Sequence, residues 1–275
     1  MLRTRIITAA VLLAVFALAW WISPAVFVTL MGAAFMAASA EWLRMLGVPT
    51  AAAAGTGAAM TLLLGATTAF GVTPPREMLV CLMTGVTLVW IALTVLLFAA
   101  RNTGFRMNRT ASLVLAFVFP VTTWLGFVVT MRRGLLFMLS VFALVWLADI
   151  CAYFCGRAFG RRRMAPGISP GKTWAGAVGA VVFVFLFALA AFEWLPHEAV
   201  FTSLVFEKLG VAAGFGTVFL LVAMSIAGDL FESAQKRQAG VKDSSNLLPG
   251  HGGYYDRFDS AQAVFPAAAM LLLLI

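Results

Sequence analysis

The sequence predicts an all-α polytopic membrane protein with about nine transmembrane helices and a cytoplasmic N-terminus. Three observations lead there. Of 275 residues, 63% are hydrophobic and 11% charged, whereas a soluble domain carries about 25% charged residues. Mean hydropathy is +0.99. The apolar residues also fall into runs that suit a bilayer core, which needs roughly 20 residues per helix.

The runs occupy 6–22, 24–44, 50–72, 78–100, 110–130, 135–157, 174–195, 210–232 and 259–275. The first follows Met-Leu-Arg-Thr-Arg and looks like a secretory signal, but no small-residue cleavage motif with a soluble portion follows. Pro24 opens the second run instead, so the first is expected to remain as a helix, in a hairpin with the second around Ser23. The next three runs, up to residue 130, are uniformly apolar and complete an N-terminal part, 1–134. The part 135–275 holds four runs and the polar loops. The last run is short and ends with the chain.

Orientation follows from the cations between the runs. With the N-terminus inside, fifteen Lys and Arg residues lie on the inner side. Only Arg76, Arg132, Arg133 and Lys208 lie outside. The net charge of +8 is spread in short clusters between spans, which argues for anionic headgroups and against nucleic acid as partner. Cys81, Cys151 and Cys155 sit in apolar runs and form no disulfide framework. Cys151 and Cys155 are one turn apart, without a further Cys or His to complete a zinc site, and read as small core residues. Outside, the stretch Leu195–Leu209 reads as a loop, and His197 as a solvated residue without chemical neighbours.

An ionisable side chain inside a span costs about 2.5–3.5 kcal/mol on insertion scales and marks a functional candidate. Asp149 lies late in the sixth run, Asp229 late in the eighth, and Asp256 and Asp259 at the start of the ninth. All four fall near the inner ends of their spans. Clustered carboxylates suit hard divalent cations, and Mg²⁺ shares its shell between one or two carboxylates, water and phosphate oxygens. Pairing of each Asp with Arg157, Arg237 or Arg257 is the plainer alternative.

The inner loop from Ser233 onward reads SAQKRQAGVKDSSNLLPGHGGYYDRFD. Lys236, Arg237 and Lys242 supply charge for phosphate oxygens, and the Pro-Gly-His-Gly-Gly turn lets backbone approach a ligand. Asp229, Ser233 and Lys236 stand at i, i+4 and i+7, on one helical face. His251 could serve as a base, touch phosphate or simply hold its turn. The other inner loop, from Arg157 to Thr173, contains Gly171-Lys172-Thr173. A P-loop would need glycine at position 166, which is Pro166, and a preceding strand, for which the sequence gives no sign. Lys172 remains a phosphate-binding candidate, and Ser169 or Thr173 a cap for the next helix. Arg161, Arg162 and Arg163 read first as an orientation signal.

Taken together, Ser233, Lys236-Arg237, Lys242-Asp243, Pro249, His251-Gly252-Gly253, Asp256-Arg257 and Asp259 resemble the signature of the phosphatidate cytidylyltransferase (CDP-diacylglycerol synthase) family. The spacing agrees across 27 residues. Asp149 with AYFCGRAFG, and Ser169-Pro170 with Lys172-Thr173, agree as well. Gln235 and Tyr254 stand where the signature has aliphatic residues, and Gly171 where the family carries a further lysine. The resemblance implies cytidylyl transfer from CTP to phosphatidate, with Mg²⁺ and by family likeness a two-cation centre. It further implies Asp229 and Asp256 as metal holders, with Asp149, Asp243 and Asp259 supporting them. Lys172, Lys236, Arg237, Lys242 and Arg257 would face triphosphate or phosphatidate oxygens, with Ser233 and His251 nearby. The lipid would enter from the inner leaflet of a bacterial inner membrane, with the site facing the cytoplasm, and a homodimer is the expected assembly. Two rivals share part of the pattern: a related membrane transferase acting on another lipid such as an isoprenoid alcohol, and a secondary transporter. A transporter would place its carboxylates nearer the midplane.

Overall fold

The computed structural model describes residues 2–72 and 74–275; Met1 and Thr73 lie outside them. The helices are α1 (Leu2–Ile22), α2 (Pro24–Met45), α3 (Thr50–Ala69), α4 (Arg76–Ala99), α5 (Arg109–Met131) and α6 (Leu135–Phe159). A hairpin of β1 (Arg163–Ala165) and β2 (Ser169–Thr173) comes next. Then follow α7 (Trp174–Trp194), a 3₁₀ turn (His197–Ala199), α8 (Phe201–Leu209), α9 (Val211–Gln238) and α10 (Tyr255–Leu274). Among the described residues, nine helices, all but α8, are long and apolar enough to cross a membrane.

Two compact units divide the chain, and they interleave along the sequence where a division at residue 134 would follow chain order. One comprises Met1–Pro75, Met107–Trp124 and Gln235–Phe258. Its α1–α2 hairpin turns at Ser23, whose hydroxyl accepts from the Val26 N–H at 3.1 Å and caps α2. Phe16 and Trp20 then meet Phe27 edge-on. Deeper in this unit Trp42 stacks on Tyr255, with ring centroids 5.1 Å apart, and also packs on Phe119. Phe35 meets Phe258 at 4.6 Å. These aromatic contacts tie the first turn of α10 to α2, each adding about 0.5–1.5 kcal/mol beyond area burial.

The other unit comprises Arg76–Arg106, Leu125–Ala234 and Asp259–Ile275. Phe265 packs between Phe142, at 4.7 Å, and Phe127, at 6.0 Å. Trp90 meets Phe231 edge-on at 5.5 Å. The β hairpin turns at Pro166-Gly167 and is pinned by a Gly167 N–H to Arg101 carbonyl bond of 2.8 Å, while Met164, Ala165 and Ile168 are buried.

Several expectations are corrected. The segment Ser233–Gln238 is not loop but the end of α9, because good helix formers carry the helix beyond its apolar run. Likewise α10 starts at Tyr255, four residues before the apolar run. The stretch after Leu195 is largely helical: Phe201–Phe206 of α8 are buried, and the Phe201 N–H donates to Ser140 Oγ at 2.9 Å. His197 does have chemical neighbours. It stacks on Phe192 at 4.5 Å, places Nε2 3.0 Å from the Phe192 carbonyl and Nδ1 3.6 Å from Glu207. A strand does precede Lys172-Thr173, but these residues end a two-stranded hairpin, so the P-loop remains excluded. Cys151 and Cys155 are half-buried free thiols, Cys155 facing Gly179 of α7.

Candidate active site

In the larger unit the polar residues converge on one cavity of about 490 Å³, within the range of small-molecule sites. Asp149 from α6 and Asp229 from α9 line it, with Arg157, Arg163 and Lys172. Lys172 reaches it because β2 ends there, and the Thr173 hydroxyl caps α7 by accepting from the Gly176 N–H at 3.2 Å. The first turn of α7 completes that wall through Thr173, Gly176 and Ala177. Cations beside a helix N-terminus favour an anion.

Lys172 Nζ lies 2.6 Å from Asp229 Oδ2, and Ser233 Oγ donates to Asp229 Oδ1 at 3.4 Å. Neither contact involves arginine. Oxygens of Asp229, Glu232 and Asp259 lie within 4.8 Å of one another. Asp229, Glu232 and Asp259 together offer an all-oxygen donor set that fits a hard divalent cation.

Gly228 brings these acids together. A Cβ there would stand 2.5 Å from the Asp259 carbonyl oxygen and 2.9 Å from Ser260 Cα, so only glycine lets α9 and α10 approach this closely. The Ser260 hydroxyl donates to the Ser225 carbonyl at 3.0 Å across the same crossing. Glu232 and Gly228 went unread in the sequence. Their signal was present, a carboxylate at i+3 from Asp229 and a small residue immediately before it.

The smaller unit holds the rest of the signature. Asp256 Oδ1 accepts from Lys236 Nζ at 2.7 Å. Its Oδ2 accepts from the Gly253 N–H at 2.7 Å and from the Ser244 N–H and Oγ at 3.0 and 2.9 Å. Donors thus reach both oxygens of Asp256. The Glu41 carboxylate of α2 accepts from four further donors in the same segment. Gln235, a departure from the signature, is buried and accepts from the Ser112 hydroxyl at 3.3 Å. The His251 N–H donates to the Leu248 carbonyl at 2.8 Å, so its backbone holds the turn, while the ring is half-buried. Arg237, Lys242, Asp243 and Arg257 are exposed, and Asp243 stands outside the Asp229–Glu232–Asp259 group.

Residues 3–275 match the family described as "Cytidylyltransferase family". The phosphatidate cytidylyltransferase of Pseudomonas aeruginosa is 37% identical over 279 residues, spanning 99% of this chain and 97% of the relative. That of Haemophilus influenzae is 47% identical over 138 residues, 49% of this chain and 44% of its own length. That of Brucella suis is 42% identical over 143 residues, 51% and 47% of the two chains. With nine apolar helices among the described residues, the signature residues in order, and a match over residues 3–275, the chain belongs to the cytidylyltransferase family.

Proposed function

We propose that the cavity between α6, β2, α7 and α9 is where this chain handles the nucleotide triphosphate. The chain transfers a cytidylyl group from CTP to phosphatidate, giving CDP-diacylglycerol and pyrophosphate. An oxygen of the lipid phosphate attacks the α-phosphorus, a new P–O bond forms, and the bond to the β-phosphate oxygen breaks. The nucleophile is already anionic, so no side chain needs to remove a proton. The difficulty is bringing two anions together and holding the leaving pyrophosphate.

The residues divide that work. Lys172, Arg157 and Arg163 line the cavity and neutralise triphosphate oxygens, at a wall made by the first turn of α7. Asp229, Glu232 and Asp259 would hold Mg²⁺, with Asp149 supporting them. When bound, the ion would offset charge on the phosphates and on the leaving group. Asp256, Lys236, Arg237, Lys242, His251 and Arg257 serve the reaction from the second signature segment. The site faces the cytoplasm of a bacterial inner membrane, a reading supported by fifteen inner against four outer cations. The single observation that carries the proposal is the Lys172–Asp229 pair inside a cavity shared with Asp149 and two arginines.

Pyrophosphate release by detergent-purified protein tests it. Release is expected with CTP and phosphatidate together and with neither alone. Release with an isoprenoid alcohol and not with phosphatidate would shift the reading to the related transferase. Absence of release from any nucleotide by folded protein would remove transfer altogether.

A further inference from the structure

Glu41 stands apart from every residue assigned above. It lies in α2 with 1% of its surface exposed. A carboxylate this deep in an apolar helix is costly unless its lone pairs are met. Among the described residues one segment meets them. Oε1 accepts from Ser245 Oγ at 2.6 Å and from the Tyr254 N–H at 3.1 Å. Oε2 accepts from the Tyr255 N–H at 2.8 Å and from Ser244 Oγ at 2.9 Å. Two of these donors precede the Pro-Gly-His-Gly-Gly turn and two follow it, so one side chain ties both arms of the loop together.

The same donors continue to Asp256. Ser244 Oγ lies 2.9 Å from both Glu41 Oε2 and Asp256 Oδ2 and shares its single proton between them. Gly253, whose N–H meets Asp256, has no room for a Cβ because Ser244 Oγ and the Glu41 carboxylate occupy that space. From the other side α1 adds Arg5 Nε to the Gly250 carbonyl and Thr8 Oγ1 to the Pro249 carbonyl, both at 2.9 Å. The N-terminal helices therefore cradle the loop, and Glu41 is the only carboxylate they contribute to it.

We infer that Glu41 is a positioning residue for the transfer reaction: it fixes the segment 244–255, and through it the direction in which Asp256 presents its carboxylate. The inference rests on the proposed activity of this chain. Two features fix what each substitution does. A Gln at 41 has one acceptor oxygen and one amide donor. Serine hydroxyls can turn to accept, but the Tyr254 and Tyr255 N–H groups cannot, so Glu41→Gln must lose at least one backbone bond. Glu41→Asp keeps the charge and is one methylene short.

The experiment measures amide hydrogen exchange and steady-state transfer on full-length protein in detergent. Wild type, Glu41→Gln, Glu41→Asp and Ser245→Ala are compared, with activity expressed per folded molecule. For Glu41→Gln, exchange at residues 244–255 is expected to accelerate at least tenfold while the apolar part of α9 keeps its protection. The kcat is expected to fall at least tenfold, a loss of about 1.4 kcal/mol of transition-state stabilisation. Ser245→Ala, which removes one of four donors, should lie between Glu41→Gln and wild type in both readouts, and Glu41→Asp should recover part of kcat. Unchanged loop exchange in Glu41→Gln would overturn the inference, as would faster exchange with kcat within twofold of wild type. A loss of protection throughout the protein would assign Glu41 to global stability and overturn it too. Wild type with no CTP- and phosphatidate-dependent turnover would sink the proposed activity, while the exchange readout would still decide whether Glu41 orders the loop.

Discussion

Replacing Gly228 by alanine puts one methyl group into the crossing of α9 and α10. Its Cβ would stand 2.9 Å from Ser260 Cα and 2.5 Å from the Asp259 carbonyl oxygen. Carbon atoms settle at about 3.5–4.0 Å, so the helices must part by roughly 0.6–1 Å. Overpacking costs about 1–3 kcal/mol, and weakening the Ser260–Ser225 hydrogen bond about 0.5–1.5 kcal/mol. Gly→Ala in a helix returns about 1 kcal/mol. The net is about 0.5–3.5 kcal/mol of destabilisation by these terms. Activity should fall as well, since a shift near 1 Å at a reacting centre can cost about 100-fold. The same movement draws Asp259 from Asp229 and Glu232. The assay is thermal unfolding in detergent beside pyrophosphate release. Gly216→Ala on the same helix is the control, because nothing lies within 4 Å of its Cβ position. It should be neutral or slightly stabilising. Wild-type activity in Gly228→Ala, or equal losses in both variants, would refute the close-approach reasoning.

Other outcomes follow from the same geometry. Thr173→Ala removes the cap of α7 and should cost about 1 kcal/mol of stability, read by thermal unfolding. It should also lower activity, because Lys172 precedes the cap directly. Glu232→Gln leaves the group around Asp229 with one charge fewer, and should raise the Mg²⁺ concentration needed for half-maximal pyrophosphate release at least tenfold. Chelation should abolish turnover and added Mg²⁺ restore it. Glu207→Gln, by contrast, weakens half-exposed contacts with His197 and Lys208, each worth about 0–1 kcal/mol, and should leave turnover unchanged.

The membrane helices were legible because length and apolarity alone report a span, and seven of the nine apolar runs start within two residues of their helices, the first and the last being preceded by a polar lead that is already helical. Helix ends were not, since hydropathy marks the bilayer and not the hydrogen bonds that continue past it, as at Ser233–Gln238 and Tyr255. The β hairpin gave no sign because Pro170 and Gly171 are poor strand residues. It forms through the Pro166-Gly167 turn and the long-range bond to Arg101. Asp149, Lys172, Asp229 and Asp259 were readable as chemistry and are neighbours in the fold. Glu41 was hidden for a different reason: a lone acid in an apolar run announces a buried role, but nothing local says that its partners stand some two hundred residues away.

The most direct measurement is formation of CDP-diacylglycerol from labelled CTP and phosphatidate by wild type and Asp229→Asn, matched for folding by thermal unfolding. Asp229 meets Lys172 and Ser233 and lies within the carboxylate group, so removing its charge should lower product formation at least 100-fold while the protein stays folded. Product formation within a few-fold of wild type would contradict the assignment of the chemistry to this cavity.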